Sequence, residues 1–574
     1  MDYKLEYNDW LNNDFFDKDT RRELEEIKDN EEEIKDRFYK NLEFGTAGLR
    51  GIMGSGTNRM NKYTVMKATQ GLANFIKKEN GEKRGVVIAY DSRNNSREFA
   101  DIAALCLNAN GIKSYVFEEE TSTPELSFSV RELNCISGIV ITASHNPPKY
   151  NGYKVYWEDG AQITYPKDVE IIEEVNNMVD YYGVKSIKKE EAIRKGLYNV
   201  IGKEMDDRYI EEIKKNLINI EAIKQQGKNV TIVYTPLHGT GARLVKRVLG
   251  ELGFEKLFIV PEQEKPDGNF PTVDYPNPED EKSFKMALNL AKEKNSDVVI
   301  ATDPDADRIG IFVKNKDEYI RFNGNMIGVF LAEYLLSQKK EKGILPKNGA
   351  LIKTVVSTNM LEQIAKEYGV EIKEVLTGFK YIGEQIKIFE KTKSNEFIFG
   401  FEESFGCLVG THSRDKDGIV STMMFAEMVA YYKQRGMGLW DQMLKMYEKY
   451  GYFEEESFSI VLPGIDGSEK MKNMMSTLRN LKLEKIGNYK VTRIKDFNLR
   501  KSIDMNTMDE SIIKLPKSNV LYYELQDEAW CCVRPSGTEP KIKFYMGIRG
   551  SNFEESKNKI EKIKQDFKEI IDSL

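Results

Sequence analysis

Along most of this chain, short continuous runs of apolar residues alternate with longer stretches whose apolar positions recur every three to four residues. The runs Val86–Tyr90, Ile136–Thr142, Val230–Tyr234, Asp297–Thr302, Ala350–Val355 and Glu396–Phe399 are rich in β-branched or aromatic residues. Runs of this kind predict strands buried on both faces. Met66–Lys78 and Leu361–Tyr368 carry the helical period between them. Alternation of the two patterns predicts layered α/β domains. The first forty residues, exemplified by Arg21–Lys28, are charged and periodic and read as exposed helix. Beyond about residue 455 the pattern shifts toward strands and ends in an amphipathic helix over Phe553–Ile571, which predicts a smaller α+β domain. Linkers are expected at Lys185–Lys195, around Asn315–Tyr319, and between Tyr447 and Glu455. The Pro- and Gly-rich stretch Pro261–Asp280 reads as a long loop rather than a linker.

Polar clusters follow four of these strands directly: Asp91-Ser-Arg, Ser144-His-Asn-Pro, Asp303-Pro-Asp-Ala-Asp and Glu402-Glu-Ser. Ligands of α/β sheets bind at the carboxyl ends of strands, so these clusters are the candidate chemistry. Asp303, Asp305 and Asp307 place three carboxylates within five residues. Such carboxylates repel one another unless a cation lies among them, and oxygen ligands suit Mg²⁺ or Ca²⁺. An EF-hand is excluded, because its sixth and twelfth positions would be Arg308 and Lys314. Ser144 sits where a buried strand ends, and Pro147 and Pro148 prevent its continuation. The Gly-x-Ser-x-Gly elbow of serine hydrolases is absent around it. A triad would need His238 or His412; His145, next in an extended chain, would point away and structure the loop. Arg534-Pro-Ser-Gly-Thr-Glu-Pro offers a guanidinium fork, two hydroxyls and backbone N–H groups at a glycine turn, the parts of a phosphate nest. Gly400-Phe-Glu-Glu-Ser suits sugar hydroxyls, although read alone it is an ordinary solvated turn. In Phe44-Gly-Thr-Ala-Gly-Leu-Arg-Gly the glycines allow close approach and Arg50 could clamp phosphate, but the motif is not a Walker loop.

Composition narrows the field. At roughly 100–200 residues per domain, 574 residues predict three to five domains. A net charge of −7 argues against a nucleic-acid binder and requires that any phosphate-binding cations be concentrated locally. With three histidines, a multi-histidine metal site is not expected. Five scattered cysteines without metal spacing, no signal-peptide pattern and no run near ~18 apolar residues predict a cytoplasmic protein.

Taken together and in this order, Thr142-Ala-Ser-His-Asn-Pro, Asp303-Pro-Asp-Ala-Asp-Arg, Gly400-Phe-Glu-Glu-Ser and Arg534-Pro-Ser-Gly-Thr-Glu-Pro resemble the α-D-phosphohexomutase family of phosphoglucomutases and phosphomannomutases. Phe44–Gly51, Ser55–Asn61 and Thr235-Pro-Leu-His-Gly-Thr-Gly look like its long subgroup, containing phosphoglucomutase 2 and glucose-1,6-bisphosphate synthase. The resemblance implies four domains around a cleft: three similar α/β domains with mixed sheets and a smaller α+β C-terminal domain. Their boundaries are placed at 1–200, 201–318, 319–450 and 451–574. It implies that Ser144 is the phosphoserine and that Asp303, Asp305 and Asp307 bind Mg²⁺ together with a phosphate oxygen on Ser144. Glu402 and Ser404 would contact sugar hydroxyls, and Arg534, Ser536, Gly537 and Thr538 the phosphate that is not transferred. Arg50, Lys154 and Lys380 would be cleft residues near the reacting phosphate, with either lysine a candidate base.

The implied reaction interconverts glucose 1-phosphate and glucose 6-phosphate through glucose 1,6-bisphosphate, on small-molecule sugar phosphates alone, without nucleic acid or membrane. Phosphomannomutase, phosphopentomutase, bisphosphate synthase and, in another class, phosphatase are the alternatives; a silent sugar-phosphate sensor is disfavoured by the intact Ser144 and aspartates. Ser404-Phe-Gly-Cys lacks the His that many bacterial phosphomannomutases carry there, which argues against mannose phosphate as the main substrate.

Overall fold

The structure is a computed structural model and describes all residues except 1, 46–47, 179, 463–466, 482, 536–540 and 573–574. The chain forms two compact units: Met1–Phe322 with Ile382–Phe399 and Ser404–Gly438, and Asn323–Tyr381 with Gly400–Glu403 and Leu439–Leu574.

Unit 1 contains two mixed sheets. The first runs in the order Gly48–Ile52, Tyr150–Trp157, Ser137–Ile141, Val86–Tyr90, Ser114–Phe117, Tyr198–Ile201. Its four members from Ser137–Ile141 onward are parallel, and Tyr150–Trp157 runs antiparallel to both of its neighbours, Ser137–Ile141 and Gly48–Ile52. Val86–Tyr90 and Ser137–Ile141 are buried at every position, as their unbroken apolar runs predict. The second sheet runs Glu318–Phe322, Ile309–Asn315, Val298–Thr302, Thr231–Thr235, Lys256–Ile259. The stretch expected to be a linker around Asn315–Tyr319 is instead the turn of a hairpin, with Asn315 opposite Glu318 and Lys316 at φ +55°. A two-residue polar turn and a linker share a composition, and only the pairing separates them. The expected linker at Lys185–Lys195 likewise contains a short helix, Lys189–Arg194, whose Lys189 Nζ lies 2.9 Å from Asp101.

The N-terminal segment also differs from expectation. It forms helices Tyr3–Asn12, Lys18–Glu26 and Glu31–Phe38, whose inner faces bury Tyr7, Trp10, Leu24, Ile34 and Phe38, together with Phe16 from the turn between the first two, against Tyr63 and Tyr181. Trp10 stacks on Phe16 with centroids 4.3 Å apart. The charges lie on the outer face and hide the aromatic positions, which recur with the helical period.

In unit 2, Gly349–Thr354 and Glu371–Val375 pair in parallel, beside helices Gly324–Glu341 and Met360–Tyr368. The C-terminal part is an antiparallel sheet in the order Tyr452–Val461, Lys541–Gly550, Trp530–Pro535, Leu521–Leu525, Tyr489–Asp496, Lys501–Asp504, Glu510–Ile512. The helix Phe553–Asp572 covers it, burying Ile560, Ile563 and Phe567 in its core. Among the described residues no helix is long and apolar enough to cross a membrane.

Candidate active site

Ser144 lies just beyond the buried strand Ser137–Ile141 and is held in the left-handed region at φ +51°. An L-residue stays there only when its surroundings impose it. Here its N–H donates to Thr142 Oγ1 at 2.7 Å, and the Thr142 hydroxyl donates to Asp91 Oδ2 at 2.6 Å. The fully buried guanidinium of Arg93 clamps the rest of the loop. It donates to the carbonyls of Ser144 at 2.5 Å, Pro147 and Tyr150 each at 3.0 Å, and also Asn146. Asp91 lies 3.4 Å from Arg93 Nε, and the Phe270 ring centroid is 5.0 Å from the guanidinium carbon. Phe270 belongs to the long loop after Pro261, which is thus packed against the serine loop. Arg50 donates to Asn146 Oδ1 at 3.1 Å.

The aspartate loop joins Val298–Thr302 to Ile309–Asn315. Asp303 Oδ1 accepts the backbone N–H groups of Asp307 and Arg308 at 3.1 and 3.0 Å, and Ala306 reverses the chain at φ +52°. The Thr235–Gly241 motif cradles this loop. Thr240 N–H donates to Pro304 O at 2.9 Å, and a Cβ on Gly239 would sit 2.3 Å from Pro304 Cα. Only glycine fits that approach.

These two loops meet. The Ser144 hydroxyl donates to Asp303 Oδ2 at 2.7 Å, and His145 Nδ1 stands 3.1 Å from Ser144 Oγ. The expectation that His145 would point away therefore fails, because the left-handed turn at Ser144 breaks the alternation of an extended chain. Lys154 Nζ lies 2.7 Å from Asp305 Oδ2 and 3.4 Å from Asp307 Oδ2. Thr123 Oγ1 donates to Asp305 Oδ2 at 2.8 Å.

Burial, reinforced by the carboxylates of Asp305 and Asp307, pushes the Asp303 carboxyl well above its ordinary range. Burial acts on Asp305 in the same direction, but the Lys154 ammonium and the hydrogen bonds around it outweigh that and hold its carboxyl far below. Lys154 is pulled down by burial and raised more strongly by Asp305 and Asp307, so it stays protonated. Burial first, then Arg308 and Arg50, lower His145, leaving it neutral.

One ligand oxygen from each of Asp303, Asp305 and Asp307 lies within 4.8 Å of the others. Asp305 Oδ1 and Asp307 Oδ1 are buried without a hydrogen-bond partner. Buried carboxylate oxygens without hydrogen-bond partners, converging in this way, fit a hard divalent cation.

Three participants escaped the sequence reading as site residues. Arg93 and Asp91 were visible only as a polar cluster after a strand. Lys416 Nζ lies 3.2 Å from Asp307 Oδ2 and 3.1 Å from Asp415, which in turn accepts from Tyr156 and Gln162 at 2.7 and 2.8 Å. The charged run Ser413-Arg-Asp-Lys-Asp-Gly before the apolar helix Gly418–Gln434 was the available signal. His238 and His412 bond Thr272 and Asp417 instead of Ser144, which removes the serine-triad alternative.

Of the other expected residues, Ser404 begins the last segment of unit 1, while Lys380, Glu402 and Arg534 belong to unit 2. Glu402 Oε1 accepts the Gly378 N–H at 2.7 Å, tying it to the turn that precedes the helix Phe379–Thr392, whose first turn carries Lys380. Arg534 stands on the strand Trp530–Pro535 opposite Lys543. Ser536, Gly537 and Thr538 lie outside the described residues.

The helix Thr123–Glu132 begins against the aspartate loop, with Thr123 N–H donating to Asp305 O at 2.9 Å. Its Glu125 is fully buried, neither carboxylate oxygen has a hydrogen-bond partner, and Arg243 is 3.7 Å away. Burial, opposed by Arg243 and reinforced by Asp417, pushes this carboxyl from 4.5 up to about 7. The folded chain holds the proton more tightly than the unfolded chain. The resulting stability is full below about pH 4.5 and is lost as pH rises to about 7. Glu125→Gln, always neutral, is expected to flatten this slope in urea-unfolding midpoints measured across that window. Parallel curves for the two proteins would refute the buried-proton account.

Comparison with known proteins shows the family. Three family models match in order, described as phosphoglucomutase/phosphomannomutase alpha/beta/alpha domain I at residues 41–181, domain II at 207–316 and domain III at 323–450. A phosphoglucomutase of Staphylococcus haemolyticus is 36% identical over 519 residues, 90% of this chain and 92% of the relative. One from Staphylococcus aureus is 36% identical over 532 residues, covering 92% and 93%. The solved open form of parafusin, a phosphoglucomutase of Paramecium, is similar in fold, with a TM-score of 0.67 at 18% identity over 92% of this chain and 95% of that one. The site assembled around Ser144 thus sits in a chain that belongs to the phosphoglucomutase/phosphomannomutase family of mutases.

Proposed function

We propose that the protein interconverts glucose 1-phosphate and glucose 6-phosphate, with Ser144 carrying the phosphoryl group between the two positions. The observation that carries this reading is the buried Ser144 hydroxyl, 2.7 Å from Asp303 in a cluster of three carboxylates, two of whose oxygens have no hydrogen-bond partner. Asp303, Asp305 and Asp307 would hold Mg²⁺, which supplies positive charge to offset the phosphoryl group and its transfer. Phosphoserine brings about −1.5 to −2 charge at neutral pH, and Arg50, Lys154, Lys416 and Arg308 are among the described cations near this loop pair.

In the forward half-reaction a substrate hydroxyl oxygen attacks phosphorus as the bond to Ser144 Oγ breaks, giving glucose 1,6-bisphosphate and a free serine. The reverse half-reaction moves the other phosphate back to Ser144. The carboxylates beside Lys154 favour its ammonium form, so it is read as a clamp on phosphate oxygens, and Lys380 remains the candidate base. Glu402 and Ser404 are assigned to sugar hydroxyls, and Arg534, Ser536, Gly537 and Thr538 to the phosphate that stays in place. These roles accompany the proposed division into four domains at 1–200, 201–318, 319–450 and 451–574. The five free cysteines, all buried, accord with a cytoplasmic setting.

The test is a coupled assay of glucose 1-phosphate isomerisation, with and without Mg²⁺ and a trace of glucose 1,6-bisphosphate, with free phosphate followed in parallel. Fast isomerisation without phosphate release is expected. Net phosphate release would replace the mutase by a phosphatase. Faster turnover of mannose or pentose phosphates, or bisphosphate synthesis from a separate donor, would reassign the substrate. Arg534→Ala is expected to raise KM about tenfold or more, through loss of a charge-assisted bond of roughly 1.5–3 kcal/mol, while leaving metal affinity unchanged. Loss of metal affinity with KM intact would remove Arg534 from the phosphate site.

A further inference from the structure

The antiparallel sheet of unit 2 carries a cavity of about 250 Å³ that none of the roles above employs. Its aromatic lining is Phe497 and Tyr522, 2% and 8% exposed, and Tyr522 stacks on Trp530 at 5.5 Å with planes 12° apart. Ser502, on the strand Lys501–Asp504, lines the cavity at 6% exposure, and its hydroxyl is buried with no hydrogen-bond partner. A buried hydroxyl without a partner is unfavourable, and native proteins seldom leave one.

Arg493 and Lys495 also line the cavity, with Glu374 as the one lining carboxylate. Arg493 is anchored by Asp504 at 3.1 Å and Lys495 by Glu524 at 2.6 Å, so both cations are held in place before any ligand arrives. Arg493 Nε also lies 3.5 Å from Glu524, and a guanidinium with five N–H donors retains capacity for a planar anion after these two pairings. At the rim, Ile512 is 80% exposed on the strand Glu510–Ile512, an apolar surface without a covering group among the described residues.

We propose that this cavity is a binding site for a small ligand of one or two flat rings bearing a single anionic group. Tyr522 is already covered by Trp530 and by Lys495 Nζ at 5.3 Å from its centroid, so the rings would lie against Phe497 beside Tyr522, the anion would meet Arg493 and Lys495, and Ser502 would gain its missing hydrogen bond. The volume falls just below the roughly 300–1,000 Å³ of drug-sized pockets, which limits the ligand to that size. Glu374 and Val355 belong to the part of unit 2 that carries the parallel strands, so a bound ligand bridges that part and the antiparallel sheet.

The probe is 2-naphthoate, titrated calorimetrically into the full chain. Saturable one-to-one binding is expected. Arg493→Gln should weaken it about tenfold or more, as loss of a charge-assisted bond does, and neutral 2-naphthalenemethanol should bind correspondingly less well. Ser502→Ala should raise the Tm of the free protein, because it removes an unsatisfied hydroxyl, and should weaken binding; Ser144→Ala should bind the probe like the native chain. Absence of saturable binding, or affinity unchanged in Arg493→Gln, overturns the proposal, and Arg493→Gln decides alone if Ser502→Ala does not fold.

Discussion

Ser144→Ala is expected to lower mutase turnover by about four to six orders of magnitude, the usual consequence of deleting a group that forms the covalent intermediate. The fold should survive. The deleted oxygen bonds Asp303 at 2.7 Å and approaches His145 at 3.1 Å, while the loop's backbone geometry rests on Thr142, Asp91 and Arg93, which remain. Alanine accepts φ +51° no worse than serine, so the unfolding midpoint should move by the equivalent of about 1 kcal/mol. Mass spectrometry of the native protein after exposure to glucose 1,6-bisphosphate should find phosphate on Ser144, and the variant should take up none. Turnover within about tenfold of native in this variant would end the phosphoserine reading.

Arg93→Met should damage both stability and activity, although Arg93 touches no reacting atom. The substitution keeps an apolar stem but leaves Asp91 buried at 1% exposure without its cation, and four loop carbonyls without their donor. Breaking a buried pair by removing one partner costs about 3–5 kcal/mol. Displacing the serine by as little as about 1 Å can cost a further hundredfold in turnover. Arg93 is therefore a positioning residue. Its signature is a fall in kcat larger than any change in KM, partly recovered by the double variant Arg93→Met with Asp91→Asn, which removes the orphaned charge. Native stability together with native kcat in Arg93→Met would show that the loop is held by other means.

Much of this site was legible from short stretches of chain. Strands of unbroken apolar residues announced sheets buried on both faces, and the polar residues after them marked the ends where chemistry collects. The density of carboxylate at Asp303, Asp305 and Asp307 implied a cation from repulsion alone, and the structure adds that two of their oxygens are buried without a hydrogen-bond partner. The hairpin at Lys316 and the aromatic faces of the N-terminal helices were misread for local reasons. A polar turn looks like a linker until its register is known, and dense surface charge conceals an inward stripe.

The sequence by itself determined the types of element, the chemical groups and their order, because propensity, periodicity and charge repulsion act over a few residues. Tertiary structure decided which groups meet. Ser144 and Asp303 are 159 residues apart, and Lys154 and Asp305 are 151 apart, yet each pair is joined at 2.7 Å. The orientation of His145, the clamp of Arg93 on the serine loop and the approach of Lys416 to Asp307 likewise depend on two sheets packing with their loops together. Contacts of that separation follow from burial of whole faces and from the backbone strain that burial can sustain, and neither quantity is carried by any short stretch of the chain.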